Sequence, residues 1–188
     1  AGWDALIVEG KAPEWTYINV SDDKIELLSA KDYVGMMSEE ADAKLKEVHP
    51  GCSVLNIGPA GEHLSLLAAI MNDKDRAAGR SGVGAVMGSK NLKAITVTAT
   101  AKVVEPFDAA KLKEATKACN QKIRENGVTG GGLPTYGTAV LVNIINNTAS
   151  IPTKNWKESY YPEADDKSGE TLKDTYLEKN AACHTCPI

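Results

Sequence analysis

Arg76-Ala77-Ala78-Gly79-Arg80-Ser81-Gly82-Val83-Gly84-Ala85-Val86-Met87-Gly88-Ser89-Lys90 is the stretch whose reading decides the fold. Four glycines fall within ten residues, and none carries the Cβ that would hold a backbone away from a ligand. Beyond them Ser89-Lys90-Asn91-Leu92-Lys93 leads into Ala94-Ile95-Thr96-Val97-Thr98, an apolar, β-branched run that predicts a strand. A loop of this kind can turn several N–H groups toward one anion, and Arg76, Arg80 and Lys90 add positive charge. Phosphate binding is the first function these residues suggest.

Two familiar phosphate motifs do not fit. Gly82-Val83-Gly84 followed by Gly88 resembles dinucleotide-fold spacing, but that fingerprint follows a strand directly. The preceding Leu64 to Ala78 is Ala/Leu-rich and reads as helix or turn. The P-loop pattern places Lys before Ser/Thr at a fixed distance from an earlier glycine. Here the order is Gly88-Ser89-Lys90 with a different spacing. A glycine-rich packing corner between helix and sheet stands beside the ligand reading, at even weight.

Outward from the loop, the N-terminal side is rich in strand signals. Ala5-Leu6-Ile7-Val8 reads as a short buried strand. Trp15–Val20 and Lys24–Leu28 alternate around Ser21-Asp22-Asp23, which is a hairpin pattern. Ser38 is placed to cap a helix over Glu39–Val48, with Ala41, Leu45 and Val48 on its apolar face and Pro50-Gly51 as the stop. Cys52–Ile57 is another strand-like run.

Past Glu105-Pro106-Phe107 the texture becomes helical. Asp108 caps a helix with Leu112, Ala115, Cys119 and Ile123 on one stripe, closed by Asn126-Gly127. Thr129–Pro134 reads as a flexible connection, and Thr138 as the cap of an apolar helix over Ala139–Asn146. Asn155–Ser168 reads as an ordered surface loop and Leu172–Lys179 as a short helix. The fold class is therefore α+β. A strand-rich part spans residues 1–104, and the beginning of a mainly α-helical domain spans 105–188.

Bulk properties exclude some partners. A net charge of −4 leaves no basic footprint for nucleic acid, and no apolar run reaches the length of a membrane span. Four cysteines in 188 residues do not make a disulfide scaffold. A CxxC pair in a chain with no export signal points to metal or redox use in a reducing, cytoplasmic setting. Cys183 and Cys186 form a CxxC pair whose thiolates can face one metal. Half of a zinc site and a redox dithiol are the alternatives, although Pro187 follows at once where a thioredoxin-like pair would be followed by a helix. Cys52 and Cys119 lie in apolar contexts and read as buried free thiols, and His49 reads as exposed.

Asn56-Ile57-Gly58-Pro59-Ala60-Gly61-Glu62, Ala68-Ala69-Ile70-Met71-Asn72-Asp73 and the run from Arg76 through Ile95 together resemble the aldehyde ferredoxin oxidoreductase family. The resemblance continues through Pro152-Thr153-Lys154-Asn155-Trp156 to Cys183-His184-Thr185-Cys186-Pro187-Ile188 and so covers nearly the whole chain. It implies a tungsten (or molybdenum) pterin cofactor beside a [4Fe–4S] cluster. Residues 1–104 then belong to the β-rich pterin-binding domain, and residues 105–188 run toward the iron–sulfur motif.

Residue by residue, the resemblance assigns pterin contacts to Arg76, Ala77, Gly79 and Arg80. The carbonyl of Ala77 becomes a ligand for a Mg²⁺ that bridges the pterin phosphates, and Cys183 and Cys186 become cluster ligands. It implies oxidation of a small aldehyde to a carboxylate, with ferredoxin or an iron–sulfur subunit as electron acceptor, and it allows a homodimer. The family's cysteine pattern needs a further residue, so the chain is expected to be an internal fragment of a larger enzyme with its acid–base residues elsewhere. Two alternatives stand beside this reading. One is a same-cofactor relative of the aryl-CoA-reducing type; the other is a zinc-stabilised phosphate-binding module without catalysis.

Overall fold

A computed structural model describes residues 2–74, 76–100 and 105–180. They fall into two compact units, one before and one after residues 101–104.

The first unit is built on a six-stranded sheet, in the order β2-β1-β6-β3-β4-β5. The strands are β1 (Thr16–Val20), β2 (Ile25–Ser29), β3 (Ser53–Asn56), β4 (Ile70–Asn72), β5 (Arg76–Ala78) and β6 (Leu92–Val97). β1 runs parallel to β6, and every other pairing is antiparallel. Side chains alternate across a strand, so adjacent residues of β1 enter different cores. Tyr17 joins Leu45, Cys52, Val54 and Ala94 on the face covered by α1 (Ser38–Val48). Ile18 and Val20 join Ile57, Met87 and Leu92 on the face covered by α3 (Val83–Ser89).

The β1–β2 hairpin and strand β3 stand where the alternation places them. Three other expectations are corrected. Ala5–Val8 forms no strand: Ile7 is exposed, and only Val8 packs against the sheet. Ser38 is the first helical residue rather than the cap, and the Glu40 carboxylate accepts from the Met37 N–H at 3.1 Å. Leu64–Ala78 is neither helix nor a single turn. After the short helix α2 (Pro59–Glu62) the chain bends through Leu64, whose φ is +59°, and then forms the β4–β5 hairpin. The strands of that hairpin are three residues each, too short for alternation to show. The glycine stretch therefore does follow a strand. It still makes no dinucleotide unit, because β5 lies at the sheet edge and β6 is three places away.

The second unit holds α4 (Ala109–Glu125), α5 (Leu133–Tyr136), α6 (Leu141–Asn147) and α7 (Gly169–Thr175). Asp108 caps α4 as its spacing predicts, accepting from the Lys111 N–H at 2.9 Å. No residue of α4 is buried, so its apolar stripe is formed but uncovered, and Cys119 is exposed rather than buried. Thr129–Pro134 is ordered. A π-helical turn over Gly127–Gly132 packs so closely on the end of α4 that a Cβ on Gly130 would sit 2.3 Å from the Arg124 carbonyl. Thr138 caps nothing, since a 3-10 turn over Gly137–Val140 precedes α6, whose Leu141 and Ile144 are exposed. The last helix begins three residues earlier than expected, where Ser168 Oγ accepts from the Thr171 N–H.

Candidate cofactor site

The β4–β5 hairpin is tied at its turn. The turn residues Asp73 and Lys74 are left-handed, with φ of +44° and +71°, a conformation that L side chains resist. The Asp73 carboxylate accepts from the Val54 N–H at 3.0 Å and from Asn72 Nδ2 at 2.9 Å. Its own N–H reaches the Val54 carbonyl at 2.9 Å. Lys46 of α1 places its ammonium 3.1 Å from Asp73 and 3.0 Å from the largely buried Asp42. Lys74 pairs with Glu39 at 2.9 Å.

These contacts set the charge states. Partial burial pushes the Asp73 carboxyl up, but the Val54 N–H and Lys46 outweigh it and hold the group below its ordinary value. Partial burial likewise pulls the Lys46 ammonium down, and the Asp42 and Asp73 carboxylates outweigh it and hold it up.

Beyond this turn lies β5, paired among the described residues with β4 alone, in the register Ile70↔Ala78, Met71↔Ala77 and Asn72↔Arg76. An edge strand leaves backbone N–H and C=O groups outside the ladder. Arg76 is half-buried, whereas Ala77, Gly79 and Arg80 are exposed. Among the described residues nothing lies within 4 Å of a Cβ built on Gly79. The structure thus brings the four expected contact residues together along one open edge and turn.

The other glycines of the stretch do something else. A Cβ on Gly82 would sit 2.4 Å from the Leu66 carbonyl, one on Gly84 2.5 Å from that of Ala69, and one on Gly88 1.9 Å from that of Gly61. The Gly84 N–H is already bonded to the Ala68 carbonyl. Gly82, Gly84 and Gly88 serve close packing of α3 against α2 and the turns after it, so the packing-corner reading holds for these three. Lys90 donates to the Gly10 carbonyl at 3.1 Å and is engaged away from the turn.

One buried pair escaped the sequence reading. Lys93 Nζ donates to the Ile57 carbonyl at 2.6 Å, the Met36 carbonyl at 3.0 Å and Glu62 Oε1 at 2.5 Å. The Glu62 carboxylate also accepts from the Gly35 N–H. The one available signal was a lysine inside an otherwise apolar strand. His49 is half-buried rather than exposed, with Nε2 2.9 Å from the Tyr17 hydroxyl.

Cys183 and Cys186 lie outside the described residues. Among the described residues no group of three or more His, Cys, Asp or Glu side chains could hold a metal ion. No helix among them is long and apolar enough to cross a membrane.

Comparison with known proteins covers both units. A model of the aldehyde ferredoxin oxidoreductase N-terminal domain matches residues 1–99, and one of domains 2 and 3 of that family matches residues 114–188. The chain is 49% identical over 190 residues to the tungsten-containing aldehyde ferredoxin oxidoreductase of Pyrococcus furiosus, and 47% identical to that of Pyrococcus horikoshii. Each alignment takes in all of this chain and 31% of the relative, so the chain spans about a third of the length of the curated relatives it matches. Among solved structures it is similar to the active site complex BamBC of benzoyl coenzyme A reductase. There the TM-score is 0.69 at 25% identity, over 95% of this chain and 29% of that one. With both units matched in order and nearly half the residues shared with named members, the chain belongs to the aldehyde ferredoxin oxidoreductase family.

Proposed function

We propose that the chain contributes the pterin-phosphate edge and two iron–sulfur ligands to a tungsten-dependent oxidoreductase that converts aldehydes to carboxylates. The observation that carries this reading is the 49% identity to a tungsten-containing relative along the whole chain, joined to an open strand edge bearing Arg76 and Arg80.

The residues present fit the group. Two guanidinium groups suit phosphate because each donates in pairs, and the open space at Gly79 lets an anion approach the backbone. Arg76 and Arg80 hold phosphate, Gly79 admits it, and the Ala77 carbonyl offers Mg²⁺ the hard oxygen ligand it prefers. The bound metallopterin supplies the two-electron chemistry, and the protein supplies charge, orientation and an electron exit. The reaction takes RCHO and water to RCOOH, two protons and two electrons. Cys183 and Cys186 would hold a [4Fe–4S] cluster, which would supply one-electron chemistry toward ferredoxin in the cytoplasm.

The likeness to the benzoyl coenzyme A reductase complex supports a second reading, in which the same cofactor serves reduction of an aryl-CoA. Its lower identity, 25% against 49%, places it second.

Metal and pterin analysis of the native protein, purified anaerobically, tests the proposal. Tungsten with pterin and iron is expected, and Arg80→Ala should lower tungsten and pterin while Arg124→Ala on α4 leaves both unchanged. Stoichiometric zinc without tungsten or iron would overturn it. Turnover of aldehydes against aryl-CoA thioesters separates the two readings.

A further inference from the structure

We infer that Asp73 is a positioning residue for the cofactor: with Lys46 it fixes the β4–β5 hairpin so that Arg76 and the turn to Arg80 present their charge in one orientation. The inference rests on the proposed pterin-phosphate role of that edge.

β5 is three residues long and, among the described residues, has one strand partner, so its ladder alone holds it weakly. The turn that delivers it contains two successive non-glycine residues in the left-handed region. Such a conformation persists where surrounding contacts over-determine it. Here those contacts converge on one side chain. The Asp73 carboxylate ties the turn to β3 through the Val54 N–H and to α1 through Lys46, which the buried Asp42 holds from its own helix. Asn72 Nδ2 bridges the Asp73 carboxylate and the Val54 carbonyl. Arg76, the first residue of β5, stands three positions along the chain from Asp73.

The lock also has the charge state the role needs. Asp73 is held ionised and Lys46 protonated well beyond neutral pH on either side. Alanine at position 73 leaves the Val54 N–H without its carboxylate acceptor and the Lys46 ammonium with Asp42 alone, so the turn can relax out of its left-handed conformation.

The test uses the native protein and reads three quantities: pterin and tungsten per chain, hydrogen exchange of the peptide covering residues 70–80, and the thermal midpoint. Asp73→Ala is expected to raise exchange across 70–80 about tenfold or more and to lower pterin occupancy below half of wild type. Lys46→Met should do the same to a smaller degree, and Lys46→Arg, which keeps a charged donor between Asp42 and Asp73, should restore occupancy. Asp22→Ala is the control for general destabilisation, because it removes the bonds from the β1–β2 turn to Thr100 and leaves the β4–β5 turn intact.

Wild-type occupancy in Asp73→Ala, unchanged exchange across 70–80, or equal pterin loss in Asp22→Ala would each overturn the inference. If Asp73→Ala does not fold, the Lys46→Met and Lys46→Arg pair decides alone: equal occupancy in both overturns it. Failure of the underlying reading looks different, since wild type would then hold no pterin or Arg80→Ala would keep it all.

Discussion

Lys93 Nζ stands 2.5 Å from Glu62 Oε1 with both side chains buried, and the pair ties β6 to the end of α2. The ammonium is saturated by one carboxylate and two carbonyls, which is the condition under which a buried charge is tolerable. Lys93→Met removes all three donors at once. It leaves the Glu62 carboxylate with only the Gly35 N–H, and the Met36 and Ile57 carbonyls without the ammonium. A loss of about 3–5 kcal/mol in urea denaturation is expected. Adding Glu62→Leu removes the stranded charge, so the double variant should be more stable than Lys93→Met alone. A Lys93→Met protein within about 1 kcal/mol of wild type would show that the pair is dispensable.

The parts of the fold that were legible in sequence are those whose pattern is local. The β1–β2 hairpin declares itself by alternation around Ser21-Asp22-Asp23, and α4 by Asp108 and a repeating apolar stripe. The β4–β5 hairpin does not, because Ile70-Met71-Asn72 and Arg76-Ala77-Ala78 are too short to show a period and sit in an Ala-rich stretch. Partners distant in sequence were equally hidden: Lys93 and Glu62 are 31 residues apart, and Asp73 meets Val54 across 19. The candidate site was reached through family resemblance. Glycine spacing by itself pointed at Gly82, Gly84 and Gly88, which turned out to face protein backbone.

The Asp73–Lys46 lock has a defined pH window. Asp73 has a depressed folded value, so its contribution is present above the ordinary carboxylate pKa of about 4 and is lost as pH falls through the folded value. Lys46 has a raised folded value, so its contribution is whole below about 10.4 and is lost as pH rises through the folded value. The difference in thermal midpoint between wild type and Asp73→Ala should therefore be flat through neutral pH and shrink at both extremes. A difference that grows on acidification would contradict the ion pair.

Two thiols should part kinetically. Cys52 is buried against Val54 and Leu45, and burial pushes its thiol up, so the reactive thiolate is scarce. Cys119 lies exposed on α4. Brief iodoacetamide treatment of the 188-residue chain at pH 8, followed by peptide mapping, should label Cys119 about tenfold or more faster than Cys52. Equal rates would mean that the core around Cys52 opens as readily as the helix surface.

Gly79 and Gly88 are nine positions apart and should respond oppositely to the same substitution. A Cβ at Gly88 would lie 1.9 Å from the Gly61 carbonyl oxygen, an overlap with backbone that no rotamer change relieves. Gly88→Ala must push α3 away from α2, and a loss of about 3 kcal/mol, the upper part of the overpacking range, is expected in denaturation. An added Cβ at Gly79 meets nothing within 4 Å among the described residues and the φ is not left-handed, so Gly79→Ala should leave stability within about 0.5 kcal/mol of wild type. If this turn receives a pterin phosphate, however, the added methyl occupies the approach, and the native Gly79→Ala protein should hold less pterin than wild type at an unchanged thermal midpoint. Full pterin occupancy in that variant would move the cofactor contact away from Gly79, and a falling midpoint would make Gly79 one more packing glycine.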